Sequence, residues 1–137
     1  MIELFTKRNS GGAVPLVILH TFSGEGREVF EKCTNIGCGD FALAAISVLN
    51  WNRDLSPWET PGIRNNRYSF GGADEYISQL TGKIMPEILS KLPGTPEFTA
   101  IAGYSLAGLF ALYAAYRTDV FSRVASVSGS LWFVLSE

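Results

Sequence analysis

Two kinds of apolar spacing alternate along this chain. Val14-Pro15-Leu16-Val17-Ile18-Leu19-His20 is a continuous apolar run, as in a parallel strand covered on both faces. Phe41 to Trp51 is apolar almost throughout and predicts a second buried strand. Phe98 to Ala102 and Arg123 to Ser128 predict two shorter strands, and Glu3 to Lys7 a first one before a turn at Asn9-Ser10-Gly11-Gly12. Elsewhere the period changes. Tyr76, Ile77, Leu80, Ile84, Ile88, Leu89 and Leu92 recur at three- and four-residue steps, which predicts a helix capped by Asp74 and running to about Leu92. Pro86 should kink it or remove one backbone bond, and Pro93-Gly94-Thr95-Pro96 closes it. Leu106 to Arg117 predicts another helix, and Arg27 to Cys33 one or two helical turns. Asn52 to Gly72 shows little periodicity and reads as a long loop. Strands that alternate with helices imply right-handed βαβ units. The expected fold class is therefore α/β, three-layer αβα, with a mostly parallel sheet.

The totals narrow this picture. A length of 137 residues fits a single domain over residues 1–137. With 47% hydrophobic and 18% charged residues the chain can bury a core. The net charge is −2 and the charges are interspersed, which excludes a basic stripe for nucleic acid and a basic amphipathic helix for a membrane surface. No apolar run approaches the roughly 20 residues that a bilayer requires. Met1 to Arg8 has no apolar core of a signal peptide, so a cytoplasmic setting is expected. Cys33 and Cys38 are too few for a disulfide framework and read as free thiols. They have too few His or Cys neighbours for zinc, so no metal site and no cofactor are expected.

The chemistry concentrates at Gly103-Tyr104-Ser105-Leu106-Ala107-Gly108. A short apolar strand precedes it and an Ala/Leu-rich helix comes after it. Strand, tight turn with serine at the apex, helix is the context of a G-x-S-x-G nucleophile elbow. Gly103 and Ala107 must both be small, because strand and helix pass close together around the serine. The competing reading makes Ser105 an ordinary helix N-cap.

Acyl transfer to a serine needs donors aimed at the developing oxyanion. One is the N–H after the nucleophile, here Leu106. The second comes from the loop after an early strand, here Thr21 or Phe22, with Phe22 preferred. His20, the single histidine, precedes the serine, whereas hydrolases of this type run serine, acid, histidine. It is read as shaping the loop rather than as the base.

At this point the chain resembles the esterase family of the α/β-hydrolase fold that includes the enterochelin esterases. The resemblance is carried by His20-Thr21-Phe22, Asn52-Arg53-Asp54-Leu55-Ser56-Pro57-Trp58, Gly71-Gly72-Ala73-Asp74-Glu75-Tyr76, the elbow, and Val127-Ser128-Gly129-Ser130-Leu131-Trp132. It implies a serine hydrolase that acts on small carboxylic esters through an acyl-enzyme. Ser105 would be the nucleophile, Leu106 and Phe22 the oxyanion hole, and Thr21, Asp54, Trp58 and Trp132 the borders of the substrate pocket. Asp54 equally fits a turn residue before Pro57, and both tryptophans equally fit core aromatics.

One departure matters. After Ser105 the only acidic residues are Asp119 and Glu137, and there is no later histidine. The expectation is the N-terminal portion of such an esterase, with the strand ending at Ser128 left as a bare edge prone to self-association. The alternative is a non-catalytic remnant that binds or interacts without turnover.

Overall fold

The apolar run at Val14–His20 becomes the middle strand of a five-stranded sheet. The computed structural model describes residues 1–9, 11–47, 50–59 and 70–130. Its strands are β1 (Ile2–Lys7), β2 (Leu16–Thr21), β3 (Phe41–Ser47), β4 (Thr99–Tyr104) and β5 (Arg123–Val127), in the order β1-β3-β2-β4-β5. β3, β2, β4 and β5 are parallel, and β1 adds to β3 antiparallel at one edge. Parallel neighbours need crossovers, and helices supply them. These are α1 (Glu25–Asn35), α2 (Trp51–Asp54), α3 (Ala73–Gln79), α4 (Met85–Ser90) and α5 (Leu106–Arg117).

Register sorts the side chains into two faces. Leu16, Ile18 and His20 of β2 align with Ala42, Ala44 and Ile46 of β3, and Ile18 pairs with Ile101 of β4. This set packs against Tyr76, Leu80, Met85, Ile88 and Phe110 from α3 to α5, and most of it is excluded from water. On the other face α1 covers the β1–β3 side, with Phe5 stacked on Phe30 at 5.3 Å. Over β2, β4 and β5 that face is an open apolar trough of about 730 Å³, lined by Val17, Leu19, Leu43, Ala102, Ala125 and Val127 among others.

Several expectations about local structure change. The second apolar run is a strand only to Ser47, and Trp51–Asp54 is a short helix capped by the Asn50 side chain, inside the expected strand end and loop. Residues 60–69 of the expected loop lie outside the described residues. α1 spans 11 residues, longer than one or two turns. The long helix begins at Ala73 after Gly72, with no side-chain cap. Asp74 is therefore not the cap. It accepts from the Tyr113 hydroxyl at 2.7 Å and pairs with Arg117 at 3.3 Å, tying α3 to α5.

Pro86 is accommodated by a π-helical turn over Leu80–Ile84, directly before α4. The wider turn inserts an extra residue and rotates the phase of the turns beyond it. Met85 consequently becomes buried, and Leu89, expected on the apolar face, stands 41% exposed.

Candidate active site

Ser105 sits at the junction of β4 and α5 with φ 55° and ψ −125°. A β-substituted residue with positive φ is strained by about 1–3 kcal/mol, so its surroundings must hold it there. They do so through its backbone. The Ser105 N–H donates to the Val127 carbonyl at 3.0 Å. Its own carbonyl accepts from Gly108, Leu109 and Ser130 at 3.0, 3.2 and 3.0 Å. Its side chain makes no capping bond, which removes the N-cap reading.

The small flanking residues have a steric cause. A Cβ on Gly103 would stand 2.4 Å from the Ala107 carbonyl oxygen, so strand and helix leave no room for one. Ala107 is itself fully buried, and its methyl fits the space where a second glycine is usual. The result lifts an exposed Ser105 to the C-terminal edge of the sheet. Its Oγ lies 3.3 Å from Ser130 Oγ, a nearly buried hydroxyl that the chain brings back after β5.

Leu106 occupies the first position of α5, where a helix leaves N–H groups without intrahelical acceptors. Phe22 lies on the loop after β2, as expected, but its amide is engaged. Glu25 Oε1 accepts from the Phe22 N–H and from Thr21 Oγ1, both at 2.8 Å. The Tyr104 hydroxyl donates to the same carboxylate at 3.1 and 3.2 Å. Burial alone would raise the Glu25 carboxyl, but the bonds from Thr21, Phe22 and Tyr104 outweigh it and hold the group below its ordinary value. Glu25 thus ties the loop after β2 to the residue preceding the serine. The Phe22 ring stacks on Trp51 at 4.3 Å, and Trp51 in turn lies 6.3 Å from Tyr104.

His20 belongs to the core. It is completely buried, its Nε2 lies 2.7 Å from the Tyr76 hydroxyl, and its ring is edge-on to Phe110. Burial pushes it down to about 3, so it is neutral at ordinary pH. Tyr76 is driven the other way, chiefly by burial. Asp54 ends α2 and pairs with Arg53 at 3.1 Å. Trp58 packs on the core, edge-on to Tyr113. These two therefore stand on the α3–α5 side of the molecule. Trp132 lies outside the described residues.

Sequence reasoning does not single out Glu25, Trp51 or Ser130 as site residues. Glu25 comes after Gly24 at a helix start, a local signal for a carboxylate that bonds back to loop amides. Nothing local marks Ser130, which depends on the return of the chain after β5.

The described residues contain no helix long and apolar enough to cross a membrane. No curated protein matches the chain. Among solved structures it is similar to an IroE-like serine hydrolase from Shewanella oneidensis (24% identity, TM-score 0.77), covering 97% of this chain and 47% of that one. It is also similar to the siderophore hydrolase EstA from Aspergillus nidulans (22%, TM-score 0.73, covering 96% and 54%). A third is the enterochelin esterase from Shigella flexneri (21%, TM-score 0.66, covering 96% and 32%). The chain thus spans about half the length, or less, of these structures, and it shares their α/β-hydrolase fold. The model of the family described as "Putative esterase" matches residues 38–134, and the chain belongs to that esterase family.

Proposed function

We propose that Ser105 is the nucleophile of a serine ester hydrolase that works through an acyl-enzyme on small carboxylic esters. The observation that carries this reading is the strained, exposed serine whose positive-φ backbone is held by four main-chain hydrogen bonds, with its hydroxyl free of any capping role. Its Oγ would lose its proton to solvent and add to the ester carbonyl, and the N–H groups of Leu106 and Phe22 would receive the oxyanion. Collapse would then break the ester C–O bond, releasing the alcohol before water frees the acid. Use of the Phe22 amide requires the Glu25 side chain to turn away from it. Thr21, Asp54 and Trp58 would border the pocket in this reading, with Trp51 added from its stack on Phe22. Siderophore hydrolases among the similar structures make ester-linked siderophores the first substrates to try.

A second reading has its own support. The hydrogen-bond partner of Ser105 Oγ is another hydroxyl, and the single histidine is neutral and buried in the core. The chain by itself would then be a non-catalytic binding fragment. A hydroxyl without a base attacks slowly, although an oxyanion hole and binding alone retain some rate. A fluorophosphonate probe with peptide mapping separates the two. The hydrolase reading expects slow modification at Ser105, lost in Ser105→Ala. An unmodified Ser105 after prolonged excess of probe, or equal labelling of the variant, would favour the binding fragment.

A further inference from the structure

We infer that Cys33 and Cys38 form a preorganised dithiol that closes to an intramolecular disulfide by exchange with a low-molecular-weight disulfide. The C-terminus of α1 carries the geometry. Gly37 is left-handed, with φ 85°. Its N–H donates to the Thr34 carbonyl at 3.2 Å, and the Cys38 N–H reaches back to the Cys33 carbonyl at 3.1 Å. This pair of bonds around a left-handed glycine is a Schellman motif, in which the residue after the glycine meets the residue four before the glycine. That contact is commonly apolar. Here both partners are cysteines.

A backbone hydrogen bond joins the two residues directly. Standard bond lengths then keep their Cα atoms inside the roughly 7 Å that a disulfide tolerates. Both thiols are half-buried rather than sealed, and both line the apolar trough beside α1. Burial raises the Cys33 thiol, and the neighbouring Cys38 raises it further. Lys7 donates from its ammonium to the Cys38 carbonyl, which ties the end of β1 to this turn.

The exchange has two steps. Cys38 loses its proton to solvent, and its sulfur attacks one sulfur of the added disulfide, expelling one thiolate. Cys33 then loses its proton and attacks the Cys38 sulfur, expelling the second thiolate. Two protein thiols are oxidised by two electrons, and the added disulfide is reduced to two thiols.

The test equilibrates the protein with mixtures of oxidised and reduced glutathione, quenches by alkylation and reads intact mass. The expected product has lost two hydrogens and carries no glutathione. Closure should be at least tenfold more favourable in the folded than in the urea-denatured chain, a difference of about 30 mV. Cys33→Ser and Cys38→Ser should each retain one glutathione instead. Gly37→Val, unable to hold the left-handed turn, should move the folded value toward the denatured one. If that variant unfolds, the folded-against-denatured comparison of the unaltered chain still decides. Two glutathiones on the folded chain, or closure no better than in urea, would overturn the proposal.

Discussion

Leu16, Ile18 and His20 alternate along β2 with Val17, Leu19 and Thr21, and the two sets meet different surroundings. The first set is roofed by α3 to α5 and joins one continuous core. Of the second, Val17 and Leu19 face the open trough, and Thr21 is tied to Glu25 at the start of α1. The elbow lies where these faces meet. Gly103 presses against Ala107 on the roofed side, while Tyr104, its neighbour, reaches Glu25 on the open side. The roofed face thus supplies steric definition, and the open face supplies polar adjustment around the serine. A strained residue needs the first, and the proposed oxyanion loop, which would have to release an amide, needs the second.

The largest effect that would test this contrast is a pair of truncations. Phe110 is fully buried on the roofed face, and Phe110→Ala should cost about 3–5 kcal/mol. Val17→Ala, on the half-buried open face, should cost about 1 kcal/mol or less, because few neighbours close around the lost methyls. Urea unfolding of both variants measures the difference. Equal costs would mean that the trough is as well packed as the core.

Next comes the titration of His20, again on the roofed face. Burial lowers it from 6.5 to about 3, so between those values the unfolded chain binds a proton that the folded chain refuses. Its contribution is therefore complete above about pH 6.5 and falls as the pH drops, by up to about 1.4 kcal/mol per pH unit. Glu25, whose folded-state value is lowered, adds a decline only as the pH falls below its ordinary value of 4.5. His20→Gln should flatten the slope above that point whatever it does to absolute stability. An unchanged slope would mean that the ring takes up its proton inside the fold.

How much of the fold and site is legible in the sequence depends on whether the cause is local. β2 and α5 are readable because an apolar run and an Ala/Leu-rich stretch carry their signal in adjacent residues. The elbow is readable for the same reason, since Gly103, Ser105 and Ala107 sit within five positions. The phase of the long helix is not, because the π turn before Pro86 shifts Met85 inward and Leu89 outward. Trp51 reads as a strand end, although it starts a helix whose cap, Asn50, lies just upstream. The tie between Glu25 and Tyr104 is hidden for a different reason. It joins residues 79 positions apart, which the parallel pairing of β2 with β4 brings alongside.

The smallest effect in stability belongs to β5, the outermost strand of the open face among the described residues. All five residues of β5 are exposed, and Val127 is 60% exposed at the rim of the trough. Among the described residues, β5 pairs with β4 alone. An edge of this kind offers unpaired backbone groups and apolar side chains to a second copy of the chain. We propose that the chain self-associates there. Val127→Lys should change unfolding free energy by no more than about 0.5 kcal/mol, since a surface position loses little. It should nevertheless shift the sedimentation profile toward monomer, because a lysine on an edge strand opposes pairing. A profile that does not respond would place any self-association elsewhere. A profile that responds only together with a large loss of stability would mean that Val127 supports the fold itself, and that the two faces differ less than their exposure indicates.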